Sequence, residues 1–220
     1  MSPYIKEIKK LKNENKIELS SIISGKILKL IPAKVNDENI RLISIWREQN
    51  SEGFLTKFNV TQKGTKEWLK NIWCDPKRIL LMIIFDGEKI GHVGIHRYYE
   101  KNEKAEIDSV LRAVRTPKIK IMENVFQIIF KWMFTDMKLK KIQLKVFHDN
   151  LKAINLYERV NMLKTKKEEL KKIIKDEGWI YEVSKDNQKN LQKRFLLTME
   201  IKNPILSHSI GNNMRISDKS

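Results

Sequence analysis

The sequence predicts an α/β (α+β) domain built on one mixed, mostly antiparallel twisted sheet with helices on both faces, preceded by an extra N-terminal helix. Three observations carry this expectation. From Lys26 onward, alternating and helical hydrophobic periods succeed one another in the order βααβββαβα. Asp86-Gly87-Glu88 separates two apolar runs as a hairpin turn does, which demands antiparallel pairing. The later strand, long helix and strand form a crossover unit, and a crossover of that kind joins parallel strands.

Residues 4–24 read as a lysine-rich amphipathic helix with Ile5, Ile8, Leu11, Leu19, Ile22 and Ile23 on its apolar side, stopped by Gly25. Residues 26–35 alternate as a strand. Asn36-Asp37 then opens a helix through Arg47, on which Ile40, Ile43 and Trp46 recur at helical spacing. A second helix covers residues 65–73. Residues 78–85 form a buried strand, 89–98 its return strand and 104–113 a further strand. After Pro117 an amphipathic helix runs to about Met137, followed by the strand Lys141–Phe147 and a helix that starts at Leu151. Residues 164–174 read as helical, whereas 179–183 and 194–201 read as closing hairpin strands. Trp68, Trp73, Phe126, Phe130, Trp132 and Phe134 fall at helical spacings and are assigned to the core.

A chain of 220 residues supports one core with appendages: an N-terminal helical extension over 1–25, the domain over 26–202 and a flexible tail over 203–220. The formal net charge is +17, from 44 basic and 27 acidic residues. The lysines are spread along the whole chain and do not cluster beside aromatics, which argues for a solvated surface and against nucleic acid as partner. Cys74 is the only cysteine, so an internal disulfide framework and cysteine-based zinc are excluded and a cytoplasmic location is expected. The longest apolar run, Ile79–Phe85, is far too short for membrane insertion. A homodimer is compatible with these features.

The segment 149–162 is the most informative. Asn150 closes an alternating run and Leu151 opens a helical one, so Asn150 sits where a side-chain amide can cap a helix. Tyr157, seven residues on, returns to nearly the same helix face, so both side chains can look into one cleft. Asn150, Ala153, Leu156, Tyr157 and Glu158 together resemble the last conserved block of the GNAT superfamily of N-acetyltransferases. Asn161-Met162 stands where that block has Gly-Phe, keeping a residue tolerant of positive φ and a bulky apolar one. The order of elements over residues 26–202 is also that of the GNAT fold.

The resemblance implies that acetyl-CoA, the acetyl donor, is held where the strand 104–113 gives way to the long helix. There free N–H groups at a helix N-terminus can hold a pyrophosphate. Val110, Leu111, Arg112, Arg115, Thr116 and Lys118 are the candidate cofactor-binding residues, together with Asn150 and Tyr157. The glycines of the family's phosphate loop are missing, and Arg115, Lys118 and Lys120 offer direct charge pairing instead.

The implied chemistry is direct attack of a neutral amine on the thioester, with no covalent nucleophile. Glu106 and Asp108 alternate onto one strand face and are the candidate bases, Asp108 lying nearer the thioester end. The backbone N–H near Val110 would polarise the thioester carbonyl, Asn150 would orient the pantetheine arm, and Tyr157 would give a proton to the departing thiolate. His92 and His96 share a strand face without an evident third ligand, and no metal is assigned.

For the acceptor, Ile90-Gly91-His92-Val93-Gly94 and the string 105–112 are similar to GNAT members that act on nucleotide-linked amino sugars in surface-polysaccharide pathways. Ile45-Trp46-Arg47, Phe54 and Trp68 resemble a wider subset that includes ribosomal-protein acetylases. Arg47, His96 and Tyr98 are the candidate acceptor-binding residues, Arg47 as partner of a diphosphate. An amino-sugar N-acetyltransferase is the first expectation; the alternatives are a ribosomal-protein or peptide N-terminal acetyltransferase and a catalytically silent binding module.

Overall fold

The computed structural model describes residues 1–13, 19–57, 59–114, 120–176, 178–184 and 194–204. Helix α1 (Pro3–Asn13) is followed by a hairpin of β1 (Leu19–Ile23) and β2 (Lys26–Pro32). The single helix expected over 4–24 is thus half helix and half strand. Leu19 to Ile23 pair antiparallel with Leu30 to Lys26, and Ser24-Gly25, both at positive φ, form the turn. A short apolar stretch fits either period, and the β-branched Ile22-Ile23 followed by Gly25 marks a hairpin here, where a helix stop was expected.

Helix α2 (Asp37–Gln49) starts as expected, with Asn36 Oδ1 accepting from the Asn39 N–H at 2.9 Å. Strand β3 (Thr56–Lys57) follows, and α3 (Gln62–Cys74) begins earlier than its apolar period, because Thr61 Oγ1 caps the Gly64 N–H at 3.0 Å. Then come β4 (Ile79–Phe85), β5 (Glu88–Tyr99), β6 (Lys104–Arg112), α4 (Ile121–Thr135), β7 (Lys141–Phe147) and α5 (Leu151–Arg159). The chain closes with β8 (Leu163–Lys175), β9 (Gly178–Val183) and β10 (Arg194–Lys202).

The described strands form one sheet in the order β1-β2-β4-β5-β6-β7-β10-β8-β9-β3, antiparallel except for the β6–β7 pair. The expected helix over 164–174 is the strand β8, held between β10 and β9. Its charges recur at helix-like spacings, but only Leu170 is fully buried, so ladder pairing and not local propensity decides its form. The hairpin partner of β9 is accordingly β8, while β10 inserts between β7 and β8. Asn203, placed in the tail by the sequence reading, is buried and bonds Lys140 O and Leu139 O; residues 205–220 lie outside the described residues.

Two apolar layers cover the sheet. One face packs α1, α4 and α5 over Leu28, Leu81, Ile107 and Leu144. The other packs α2 and α3 over Leu80, Met82 and Leu111. Phe126, Phe130, Trp132 and Phe134 are core residues, as their spacing suggests; Trp68 and Trp73 are only half-buried. Among the described residues no helix is long and apolar enough to cross a membrane.

One pairing positions the site. β6 and β7 are paired only from Lys104 and Lys141 to Ile107 and Leu144, after which β6 stays with β5 and β7 with β10. The sheet opens between them, and α5 lines the gap through Ala153 and Tyr157. Helix α5 ends in a Schellman turn: the Met162 N–H bonds Tyr157 O, the Asn161 N–H bonds Glu158 O, and Asn161 sits at φ +63°. Met162 is buried beneath it. Asn161→Ala should therefore cost about 1 kcal/mol in urea unfolding, while Asn161→Gly should match or exceed the native chain, because only the β-carbon makes a left-handed residue unfavourable. Equal midpoints for Ala and Gly would contradict this account.

Candidate active site

A cavity of about 430 Å³ occupies the gap between β6 and β7. Its floor is shaped by a β-bulge. His92 faces Leu111 and Gly94 faces Asp108, so Ser109 and Val110 together oppose Val93 alone, with Ser109 at φ +49°. His92 pins the bulge: its Nδ1–H donates to Ser109 O at 2.7 Å. Burial drives the His92 imidazole down to about 4, and the Arg47 charge adds to this against the pull of the Ser109 carbonyl. A β-carbon at Gly94 would lie 2.3 Å from Asp108 Oδ1, and one at Gly91 would lie 2.1 Å from Leu111 O. These two glycines let β5 and the bulged β6 approach.

The structure separates the two candidate bases. Glu106 is buried and already engaged, accepting from Gln143 Nε2 at 2.6 Å with Lys145 Nζ 4.0 Å away. Asp108 is half-buried against the cavity, and its carboxyl is pushed up to about 6. Desolvation is the main cause and the Glu106 charge adds to it, while Arg78, the Ser109 hydroxyl and Arg47 oppose it. His96 Nδ1 stands 3.9 Å from Asp108 Oδ2, beyond hydrogen-bonding distance. Burial and the charges of Arg78 and Arg97 lower the His96 pKa below the ordinary imidazole value.

From the opposite wall, the seven-residue step does bring Asn150 and Tyr157 to one cavity. Asn150 Oδ1 caps α5 by accepting from the Ala153 N–H at 3.1 Å. The Tyr157 ring packs edge-on to Phe126 at 5.4 Å, and burial raises its phenol above the ordinary value, so the hydroxyl keeps its proton.

Arg47 and His96 line the cavity as the sequence suggests. Arg47 lies over the Trp68 ring at 4.2 Å, so Trp68, assigned to the core from its spacing, is instead a half-buried shelf for a guanidinium in the cavity wall. Tyr98 does not line the cavity; it stacks on Tyr4 at 4.1 Å. Strand alternation would put His96 and Tyr98 on one face, but the register shifts between Ile95 and Arg97, so Arg97 reaches the cavity and Tyr98 turns to α1.

Of the expected cofactor residues, Val110 lines the cavity. Leu111 packs into the core under α2 and α3, and Arg112 Nε donates to Val114 O at 3.3 Å; neither side chain lines the cavity. Arg115, Thr116 and Lys118 lie outside the described residues. Acetyl-CoA fits the gap on other grounds: beyond residues 107 and 144 the facing edges of β6 and β7 are unpaired, and Val110, Val146, Phe147 and Ala153 give apolar walls for an extended arm whose amides can pair with strand edges. Sequence reasoning missed Arg78, Arg97 and Lys145, all of which line the cavity. Arg78 carried a faint signal, as the charge directly before the apolar run that becomes β4. Among the described residues, no three His, Cys, Asp or Glu side chains converge as metal ligands.

Residues 28–163 match the family model of the acetyltransferase (GNAT) domain. The uncharacterized protein MJ1062 of Methanocaldococcus jannaschii is 25% identical over 167 residues, covering 73% of this chain and 32% of that protein, so the chain spans about a third of that relative's length. Solved structures share the fold at low identity. A probable GNAT-family acetyltransferase from Chromobacterium violaceum superposes with a TM-score of 0.66 at 9% identity, covering 86% of this chain and 88% of that one. RimL, a ribosomal L7/L12 alpha-N-protein acetyltransferase, gives 0.63 at 11% identity, covering 86% and 97%. The spermidine N-acetyltransferase of Vibrio cholerae in complex with CoA and spermine gives 0.63 at 18% identity, covering 80% and 95%.

The raised Asp108 pKa carries a stability consequence. Its folded value of about 6 exceeds the unfolded 3.8, so the native state holds this proton more tightly. The ionised carboxylate then destabilises the fold increasingly as pH rises from about 4 to about 6, and fully above that range. Asp108→Asn should unfold at higher urea than the native chain at pH 8, with the difference vanishing near pH 3.5. The same gap at both pH values would count against a buried, unfavourably charged Asp108.

Proposed function

The chain belongs to the GNAT acetyltransferase family, and we propose that it moves the acetyl group of acetyl-CoA to the primary amine of a nucleotide-linked amino sugar. The observation that supports this acceptor is the charge of the cavity. Arg47, Arg78, Arg97 and Lys145 line it against Glu106 and Asp108, and Glu106 already faces Lys145 and Gln143. Against two carboxylates, the lining thus carries four cationic side chains. A polyamine would add positive charge to them, whereas a diphosphate would meet them with opposite charge and planar, bidentate geometry. A nucleotide-linked amino sugar joins that anion to a primary amine in one molecule. A cytoplasmic location belongs to the same reading, since donor and acceptor would meet there.

When bound, acetyl-CoA supplies a reactive acyl thioester. Asp108, ionised above about pH 6, takes a proton from the acceptor nitrogen, either directly or through water. The bulge at Ser109 and Val110 presents main chain to the cavity for the acetyl carbonyl. Tyr157 Oη holds the proton that the departing sulfur takes up.

The test is release of free thiol from acetyl-CoA across a UDP-linked amino sugar, spermidine and a peptide with a free N-terminus. Turnover of the nucleotide sugar, inhibited by pyrophosphate and weakened by Arg78→Gln, is the expected result. Turnover of spermidine or the peptide alone would replace this acceptor with that one. With the acceptor saturating, Tyr157→Phe should lower kcat by about 10² to 10⁴ while the fold and acetyl-CoA affinity persist, the range for loss of a positioned general acid. A folded variant keeping half the rate would make Tyr157 structural. The native kcat/KM should fall as pH drops through about 6, when Asp108 takes up a proton, and Asp108→Asn should abolish that limb.

A further inference from the structure

Helix α1 lies before the residues matched by the family model, yet two of its side chains grip the segment that delivers Arg78 to the cavity. Tyr4 is fully buried; its ring stacks on Tyr98 at 4.1 Å with the planes 7° apart, and its hydroxyl donates to Lys77 O at 2.7 Å. At the other end of the helix, Lys12 Nζ donates to three carbonyls at the C-terminus of α3 and just beyond it: Ile72 O at 2.9 Å, Trp73 O at 2.9 Å and Asp75 O at 2.7 Å. Residues 75–78 are thus held from both ends. Asp75 tightens the turn, since its Oδ1 accepts from the Lys77 N–H at 2.7 Å and its carbonyl from the Arg78 N–H at 3.3 Å.

Tyr4, Ile8 and Leu11 pack in the α4 layer, whereas α3 packs Leu69 and Ile72 in the opposite layer. Lys12 therefore reaches around the end of the sheet to bond α3. The last carbonyls of a helix have no partner within it, and an ammonium satisfies them while complementing the negative end of the helix dipole. Three such bonds from one ammonium fix where α3 stops. Tyr4 then fixes the next carbonyl but one, and Arg78 follows immediately. The Arg78 Nε is buried with no hydrogen-bond partner, so its guanidinium is not tied down by its own Nε.

We infer that α1 is a brace for the acceptor site, with Tyr4 and Lys12 acting as positioning residues for Arg78 as it meets the acceptor's anionic group. The inference rests on the anionic-acceptor reading above. It differs from a plain stabilising role because Tyr4 and Lys12 act on the cavity through the turn that carries Arg78, whereas the apolar walls open to the acetyl-CoA arm, Val110, Val146, Phe147 and Ala153, belong to β6, β7 and α5.

The experiment measures, by calorimetry, inorganic pyrophosphate binding to the full chain saturated with acetyl-CoA, so that the cofactor's own pyrophosphate site is filled, with acetyl-CoA binding and thermal unfolding as parallel readouts. Lys12→Met keeps the apolar stem and deletes the ammonium, and Tyr4→Phe deletes only the hydroxyl. Each should weaken pyrophosphate on the order of tenfold and leave acetyl-CoA affinity unchanged, with Lys12→Arg restoring most of the loss. In an Arg78→Gln background, Lys12→Met should have no further effect on pyrophosphate, because residues acting through one group are not additive. Variants that bind pyrophosphate as the native chain does overturn the brace, as does additive loss in the Arg78→Gln background. A native chain that does not bind pyrophosphate overturns the anionic-acceptor reading and the brace with it. If Lys12→Met does not fold, Tyr4→Phe decides alone.

Discussion

Everything at this site depends on where the pairing of β6 and β7 stops. Parallel strands joined by a crossover helix ordinarily stay paired along their length, and here they part after four residue pairs, ending at Ile107 and Leu144. Two causes are visible. Antiparallel β10 pairs the full length of β7, from Leu196 opposite Phe147 to Lys202 opposite Lys141, and holds it in one half of the sheet. On the other side, the bulge at Ser109 bends β6 just after the last shared pair, and a bulge increases local twist. The result is an opening inside a continuous sheet, with backbone edges facing each other across it. Polar side chains from β5, β6, α2 and α5 then line the opening.

The bulge is costly, and the sequence around it is organised to hold it. Ser109 is a non-glycine residue in the left-handed region, which L-residues avoid. Its carbonyl is held by a neutral, buried imidazole, and Gly91 and Gly94 remove the two β-carbons that would collide with the bulged strand. The same arrangement raises the Asp108 pKa: moved away from solvent beside Glu106, the carboxyl is partly compensated by Arg78 and Arg47 but not neutralised. Local strain and an unfavourable charge coincide at one residue pair, the pattern expected where chemistry has been favoured over stability.

The antiparallel β4–β5 hairpin and the parallel β6–β7 crossover were legible because buried strands are short apolar runs, the Asp86-Gly87 turn fixes one pairing and the intervening helix the other. The Asn150 to Tyr157 step was legible because helix geometry alone relates residues seven apart. What escaped the sequence shares a cause. β1 and β8 are strands by virtue of partners, β2 for one and β10 with β9 for the other, and neither partner leaves a mark on the local period. Tyr98 was misplaced because a register shift at Ile95 breaks the alternation from which its direction was read. Arg78 and Arg97 are single charges in unrelated contexts, brought together only by the fold.

The cationic end of the cavity raises a question of cost that the structure answers in part. Burial lowers the pKa of Arg47 from its ordinary value, which means that the guanidinium is held in an environment less favourable than water. Compensation comes from the faces of Trp68 and Phe54 beside the charge and from the carboxylate of Asp108. Such an arrangement persists only if neighbouring elements prevent relaxation toward solvent. On the β4 side that restraint falls to the turn of residues 75–78, which has almost no apolar content of its own to anchor it. Its fixed points are carbonyls, and the groups that bond them come from α1. An N-terminal helix outside the matched family residues and the proposed anion site are thus linked by hydrogen bonds to main chain: the orphan acceptors at the end of α3 require donors, and those donors hold the turn that leads into Arg78.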